Sequence, residues 1–171
     1  RDADGRYGFD IDIAAAGRHA VIAAVPASAI DKDTGQPVGT AFVLKTPATG
    51  SSTTTDVFVS PLTTLVADIA AGQGVTPAEA ETSVQQQLGL AASPLANFVA
   101  ATDSQAAKLA KTVNTVIIEV TKLADAAGVA ADAKAALVAS VTTADLSTLA
   151  ALVNASNAGS ATTVAAQVTS S

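Results

Sequence analysis

The sequence predicts an α+β fold, with a short antiparallel β-sandwich-like half followed by an alanine-rich helical bundle. Four of the five aromatic residues lie before residue 60, where apolar residues alternate with polar ones as in half-buried strands. After residue 60, apolar residues recur at helical spacing among many alanines. We therefore expect an incomplete β module over residues 1–59, a helical bundle over 60–159 and a tail over 160–171.

Four short apolar runs separated by turn residues predict the strands. Tyr7, Phe9, Ile11 and Ile13 alternate with small or acidic residues after the turn pair Asp4-Gly5. Pro26 ends the second run, and a turn over 31–35 precedes the third. The expected strands cover residues 7–13, 19–25, 40–45 and 56–59.

Capping residues and glycines predict the helices. Ser60 precedes a proline at the first helical position, and we expect this helix to end at Gly72. Thr76 and Glu79 form a capping box for a second helix, which Gly89 ends. A short helical turn should follow at residues 94–99.

The longest helix is expected over residues 103–127, ended by Gly128. Two more should follow over 132–140 and 144–155, the second opened by a capping box at Thr142. The tail is polar and rich in Thr, and we leave two interpretations open, a frayed end or a strand that docks on a partner. The expected buried stripe of the longest helix is Leu109, Val113, Val116, Ile117, Val120, Leu123 and Ala124.

Two segments resemble the central strands of Cna-B or SdrD-B type domains and of carboxypeptidase-regulatory-like domains. They are residues 2–13, which contain DADGRYGFDI, and residues 17–25, which read GRHAVIAAV. Residues 57–90, with the text SPLTTLV, resemble a segment that follows such modules in large secreted bacterial proteins. The resemblance implies an extracellular structural or adhesive role. It also implies that the β half lacks its opening strand or strands, which would leave a sheet edge open to another chain.

The setting predicted by composition is a secreted or bacterial cell-surface protein. The chain begins with Arg1 and has neither Met nor Cys, so we interpret it as a processed piece without disulfides or thiolate metal sites. Charged residues are 14% and the net charge is −6, which disfavours nucleic acid as a partner. The longest apolar stretch is too short to span a membrane.

Asp2, Asp4, Asp10 and Asp12 are the candidate metal ligands, because calcium prefers several carboxylate oxygens. Against this site, the twelfth position of an EF-hand loop counted from Asp2 is Ile13, not Glu. The alternative is a turn at Asp4 followed by a strand with a solvent-facing acidic side. Calcium is the one cofactor that the sequence leaves open.

No enzymatic activity is expected. His19 is the only imidazole, and no Gly-x-Ser-x-Gly motif accompanies it. The resemblance raises the chemistry of an intramolecular isopeptide bond at Lys32 or Lys45, but every Asn lies in the α half, so within the β half such a bond would need Asp. We expect none.

The leading functional interpretation is a self-assembling homo-oligomer or polymer, a subunit of a surface filament or layer. Its copies would meet through an exposed sheet edge and through helix packing, because the surface is poor in charge. The alternative is an adhesin or binding module that holds calcium or a small ligand between the two halves.

Overall fold

The computed structural model describes residues 18–31, 34–48, 50, 57–144 and 146. Within these residues, two antiparallel strands precede four helices, which confirms the α+β class. The elements are β1 (Ile22–Val25), β2 (Phe42–Lys45), α1 (Pro61–Gln73), α2 (Pro77–Leu88), α3 (Ser104–Ala126) and α4 (Ala131–Ala144).

The two strands form a hairpin whose two faces differ. Ile22 pairs with Lys45, and Val25 pairs with Phe42. Because side chains alternate along a strand, Val25, Phe42 and Leu44 lie on the inner face, where they pack into the hydrophobic core. Ile22 and Val43 lie on the outer face and are exposed.

The connection between the strands contains the expected turn. The Gly35 amide donates to the Asp31 carbonyl at 2.8 Å, and Gly35 has a φ of 68°, which glycine adopts without strain. An isolated antiparallel bridge joins Ile30 and Pro37. The second and third predicted strands are therefore confirmed, each shorter than expected.

The β-sandwich is not shown, since the described strands make a two-stranded sheet. The predicted strand at residues 7–13 lies outside the described residues. The predicted strand at 56–59 is wrong over its described part, because residues 57–59 make no ladder. Phe58 instead packs edge-to-face on Phe98, with ring centroids 5.0 Å apart, so this segment contacts the connection that follows residue 88.

α1 is the central helix, and it packs against α2, α3, α4 and β2. Its residues 62–69 are all buried, as in a helix that is covered on every side. Ser60 caps its first turn, and its hydroxyl accepts from the Thr63 amide at 3.2 Å. The predicted end at Gly72 is wrong, because Gly74 adopts the left-handed C-cap conformation and Gly72 lies inside the helix.

α2 and α3 follow the predicted boundaries closely. The Thr76 and Glu79 capping box is present, and Gly89 caps α2 in the left-handed conformation. Asp103 caps α3 by accepting from two amides of its first turn. Leu123 is the one member of the predicted stripe that is wrong, since it is 50% exposed while the other six are buried. The expected helical turn at residues 94–99 consists of non-helical turns.

α4 continues through the position where a helix boundary was predicted. Thr142 was expected to cap a new helix, but it lies inside α4 and is buried. Its hydroxyl donates to the Val138 carbonyl at 2.8 Å, one turn earlier in the same helix. The hydroxyl is thus satisfied without ending the helix, so the predicted break between residues 140 and 144 is wrong.

Candidate functional site

The junction between the β hairpin and the helices is built around Lys45. Because residues 62–69 of α1 are all buried, each polar residue of this stretch needs a partner inside the protein. Three such residues are present, Thr63, Thr64 and Asp68, and all three interact with Lys45.

The two threonines hold the backbone of Lys45. The Lys45 amide donates to the Thr64 hydroxyl at 3.0 Å, and the Thr63 hydroxyl donates to the Lys45 carbonyl at 2.9 Å. The Thr63 hydroxyl also accepts from the Ser60 amide at 2.9 Å, which completes the capping box of α1. The text SPLTTLV therefore has a structural explanation, since it caps α1 and attaches β2 to its first turn.

The side chain of Lys45 forms an ion pair with Asp68. The Asp68 side chain is 4% exposed and that of Lys45 is 34% exposed, so the pair is asymmetric in its access to water. Burial raises the pKa of Asp68, while the hydrogen bond and the positive charge of Lys45 oppose that rise. The charged form of Asp68 is therefore stabilised mainly by Lys45, whereas water also reaches the ammonium group of Lys45.

This ion pair lies at one end of an open cleft between α1 and α4, with a volume of about 580 Å³. Small residues line most of it, among them Ala71, Gly72, Ala136 and Ala139. Of the described residues in the lining, only Lys45 and Asp68 are charged. The arrangement is suited to close packing and to charge neutralisation at the junction.

The sequence-predicted calcium ligands Asp2, Asp4, Asp10 and Asp12 lie outside the described residues. In the part of the chain that the structure describes, no three His, Cys, Asp or Glu side chains are grouped closely enough to hold a metal ion. His19 is described and is exposed at the start of the hairpin.

Sequence reasoning missed Asp68 and the role of the two threonines. The available signal was one acidic residue inside the apolar run LVADIA, where a buried carboxylate requires a cationic partner. Lys45 was considered as a partner only for Asp within the β half, whereas the structure pairs it with Asp68 of α1.

The two outer edges of the hairpin differ in whether their outward peptide groups have hydrogen-bond partners. The Thr46 amide donates to the Val21 carbonyl at 2.9 Å, which makes this a hydrogen-bonded pair. Since such pairs alternate along an antiparallel ladder, the outward peptide groups are those of Ile22 and Ala24 on β1 and of Val43 and Lys45 on β2. On β2, Thr63 and Thr64 bind the amide and carbonyl of Lys45, whereas within the described residues nothing hydrogen-bonds to the outward groups of Val43.

Among the described residues, the β1 edge has no partner strand. Within the described residues, nothing hydrogen-bonds to the outward peptide groups of Ile22 and Ala24. Ile22 is 66% exposed. Residues 20–30 contain no charged side chain, so this edge lacks the charges that commonly prevent strand pairing.

Comparison of the chain with protein-family models, with curated proteins and with solved structures found no match. The helices of the described region are each too short or too polar to cross a bilayer. The resemblance to Cna-B type domains thus stays a prediction from the sequence.

Proposed function

We propose that the chain is an extracellular structural protein of a bacterial surface, a subunit that assembles with further copies of itself. Copies would meet by strand pairing at the β1 edge and by packing of α4. The observation that carries this proposal is the uncharged edge of β1, which has no partner strand in the part of the chain that the structure describes and exposes Ile22.

α4 supplies the second contact. Among its described side chains only Thr142 is buried, although the helix has 14 residues. Its two charged residues, Asp132 and Lys134, lie in the first turn, and the rest of the helix has none. Leu137 and Val141 are 39% and 37% exposed, so the outer surface is apolar and suited to helix packing between copies.

The composition and the resemblance described above support the extracellular setting. Absence of Cys and a low content of charged residues fit a secreted surface protein. Testing the secreted gene product in its native host, by separating cell-surface from cytoplasmic fractions, checks this part of the proposal. Recovery of the protein from the cytoplasm alone would contradict it.

Sedimentation velocity over a range of protein concentrations tests self-assembly. The informative variant is Ala24→Pro, because the lost amide points away from the hairpin and a proline ring at that position blocks only an added strand. The matched control Ala24→Thr keeps the amide and has good strand propensity.

We expect the unmodified chain and Ala24→Thr to form larger species as concentration rises, and Ala24→Pro to remain smaller. Circular dichroism verifies that each variant is folded. An unmodified chain that stays monomeric at every concentration would contradict the proposed function.

A binding module is the second candidate, and the cleft beside Lys45 is the observation that favours it. Its calcium version is tested by melting with calcium and with chelator. A site occupied only in the folded state adds about 2.7 kcal/mol to the free energy of unfolding when the calcium concentration is about 100 times its Kd. A melting temperature unchanged by calcium, or a rise that persists in Asp4→Asn, would exclude the predicted aspartate site.

A further inference from the structure

We infer that the strand which completes the β1 edge is residues 160–171 of a second copy of this chain. The inference rests on the proposed function, because it names the segment through which the copies would join. It follows from the chemistry of the β1 edge together with the sequence of these last twelve residues.

The β1 edge sets three requirements for its partner. The partner must offer peptide groups at alternate positions, to match the outward groups of Ile22 and Ala24. It must bring uncharged side chains to the outer face, where Ile22 and Val43 are exposed. It must also have enough free chain to reach another subunit.

Residues 160–171 meet the first two requirements. They contain no charged residue, and five of the twelve are Thr or Val, which favour strands. Val164, Ala166 and Val168 occupy alternate positions, so they would lie on one face of a strand. That face presents apolar side chains at the same two-residue interval as Ile22 and Ala24.

The preceding residues meet the third requirement. The last helical position described is Leu146, which is buried in the core. Residues 147–159 lie between it and the proposed strand, and with the helix that the sequence predicts to residue 155 followed by four extended residues they would span about 27 Å. A tail on such a tether that pairs with the hairpin of a neighbour makes a head-to-tail contact, which propagates into a filament when it does not close into a ring.

Residues 7–13 of the same chain are the competing occupant. They also alternate, but Asp10 and Asp12 share one face. Pairing with β1 through Tyr7 and Phe9 on the inner face would place both carboxylates on the outer face beside the exposed Ile22, where the one cation of β1 and β2, Lys45, already pairs with Asp68. The uncharged segment 160–171 matches that face better.

Disulfide trapping tests the inference in the full chain. The natural sequence has no Cys, so every disulfide must come from the introduced residues. One preparation carries Ile22→Cys, and a second carries a single Cys at residue 163, 164, 165, 166, 167 or 168. Opposite residues on paired strands are close enough for a disulfide, whereas residues on opposite faces are not.

We expect mixed preparations to form disulfide-linked heterodimers several-fold more at alternate positions, 164, 166 and 168 or else 163, 165 and 167. Equal trapping at all six positions, or none, would overturn the inference. A chain with Ile22→Cys and a second Cys within 160–171 that is trapped only as a monomer would place the strand in the same chain and overturn it too. So would efficient trapping of Ile22→Cys by Asp10→Cys or Asp12→Cys within one chain.

A chain ended after Gly159 separates this inference from the proposed function. Loss of assembly in the shortened chain, and its return when residues 160–171 are fused to the end again, supports the inference. Unchanged assembly of the shortened chain overturns the inference and leaves the proposed function standing. An intact chain that never assembles contradicts the proposed function itself.

Discussion

Replacing Lys45 with Met should destabilise the fold more than replacing Asp68 with Asn, although both changes break the same ion pair. Lys45→Met leaves the Asp68 carboxylate, which is 4% exposed, without its cation. Breaking a fully buried pair in this way costs about 3–5 kcal/mol, and access of water through the cleft reduces this to about 2–3 kcal/mol. Asp68→Asn leaves an ammonium group that water already reaches, so we expect the free energy of unfolding to fall by only about 1 kcal/mol.

The double variant Lys45→Met with Asp68→Asn should lose less stability than the sum of the two single variants, because neither charge remains. A coupling of about 1–2 kcal/mol is expected between Lys45 and Asp68. For a chain of this size, 1 kcal/mol corresponds to about 2–4 °C in melting temperature. Lys45→Met should therefore melt about 4–12 °C lower than the unmodified protein. Urea unfolding provides the free energies.

The cost of Lys45→Met should also decrease as the pH falls from 7 toward 4. Burial raises the pKa of Asp68 above the ordinary value of 3.8, and Lys45 supplies both contributions that lower it. Between its unfolded and folded pKa, this carboxyl binds more protons when folded, so acid stabilises the folded state through it. Without Lys45 the folded pKa of Asp68 should be higher still, so the pH range over which acid stabilises the fold becomes wider. Equal costs for both single variants, or a cost of Lys45→Met that is independent of pH, would refute this reasoning.

The intact mass of the unmodified chain provides a control for this experiment. We expect it to equal the mass of the sequence, because the partly exposed Lys45 interacts with Asp68 as an ion pair. A mass lower by one water would indicate an amide bond between them. The two single variants would then restore the lost water, and the argument from charge would not apply.

Three further predictions concern the helices. Ser60→Ala should cost about 1–2 kcal/mol, because the first turn of α1 loses its cap, and a lower urea midpoint would be the measured effect. Hydrogen bonds from Thr76 lower the pKa of Glu79, so its contribution to stability is present above 4.5 and is lost as the pH falls through the folded pKa. Melting temperatures of the unmodified protein and Glu79→Gln should accordingly differ at neutral pH and converge in acid. Leu109→Ala should cost about 2–5 kcal/mol and Leu123→Ala about 0.5 kcal/mol, and similar values in thermal unfolding would contradict the observed burial.

Helix starts were predictable because their causes are local. Ser60, Thr76 and Asp103 each accept a hydrogen bond from an amide two or three residues later, so the sequence alone contains both partners. Gly89 likewise ends α2 through its own backbone conformation. These residues needed no knowledge of the packing.

The errors arose where two local solutions compete. Gly72 and Gly74 both lie at the end of the apolar run, and the packing of α1 favours the later stop, although a glycine inside a helix costs about 1 kcal/mol. Thr142 had the spacing of a cap, but its hydroxyl is equally satisfied by a carbonyl within α4. Tertiary contacts decide between such alternatives, and the sequence pattern does not.

The Lys45 junction was beyond prediction from periodicity. Lys45 and Asp68 lie 23 positions apart in the sequence, on a strand and a helix whose relative placement no local signal specifies. Even so, the buried acid in an apolar run indicated that some cation must approach it. Within the described residues, the β1 edge has no partner strand, and its link to the incomplete module that the resemblance implies stays a prediction.

Amide hydrogen exchange at β1 tests the central claim most directly. In dilute protein, the outward amides of Ile22 and Ala24 should exchange fast while those of Ala23 and Val25, inside the ladder, are protected. In concentrated, assembled protein, all four should be protected. Protection of Ile22 and Ala24 in the dilute monomer, or their unchanged fast exchange after assembly, would contradict the claim that a second copy completes this edge.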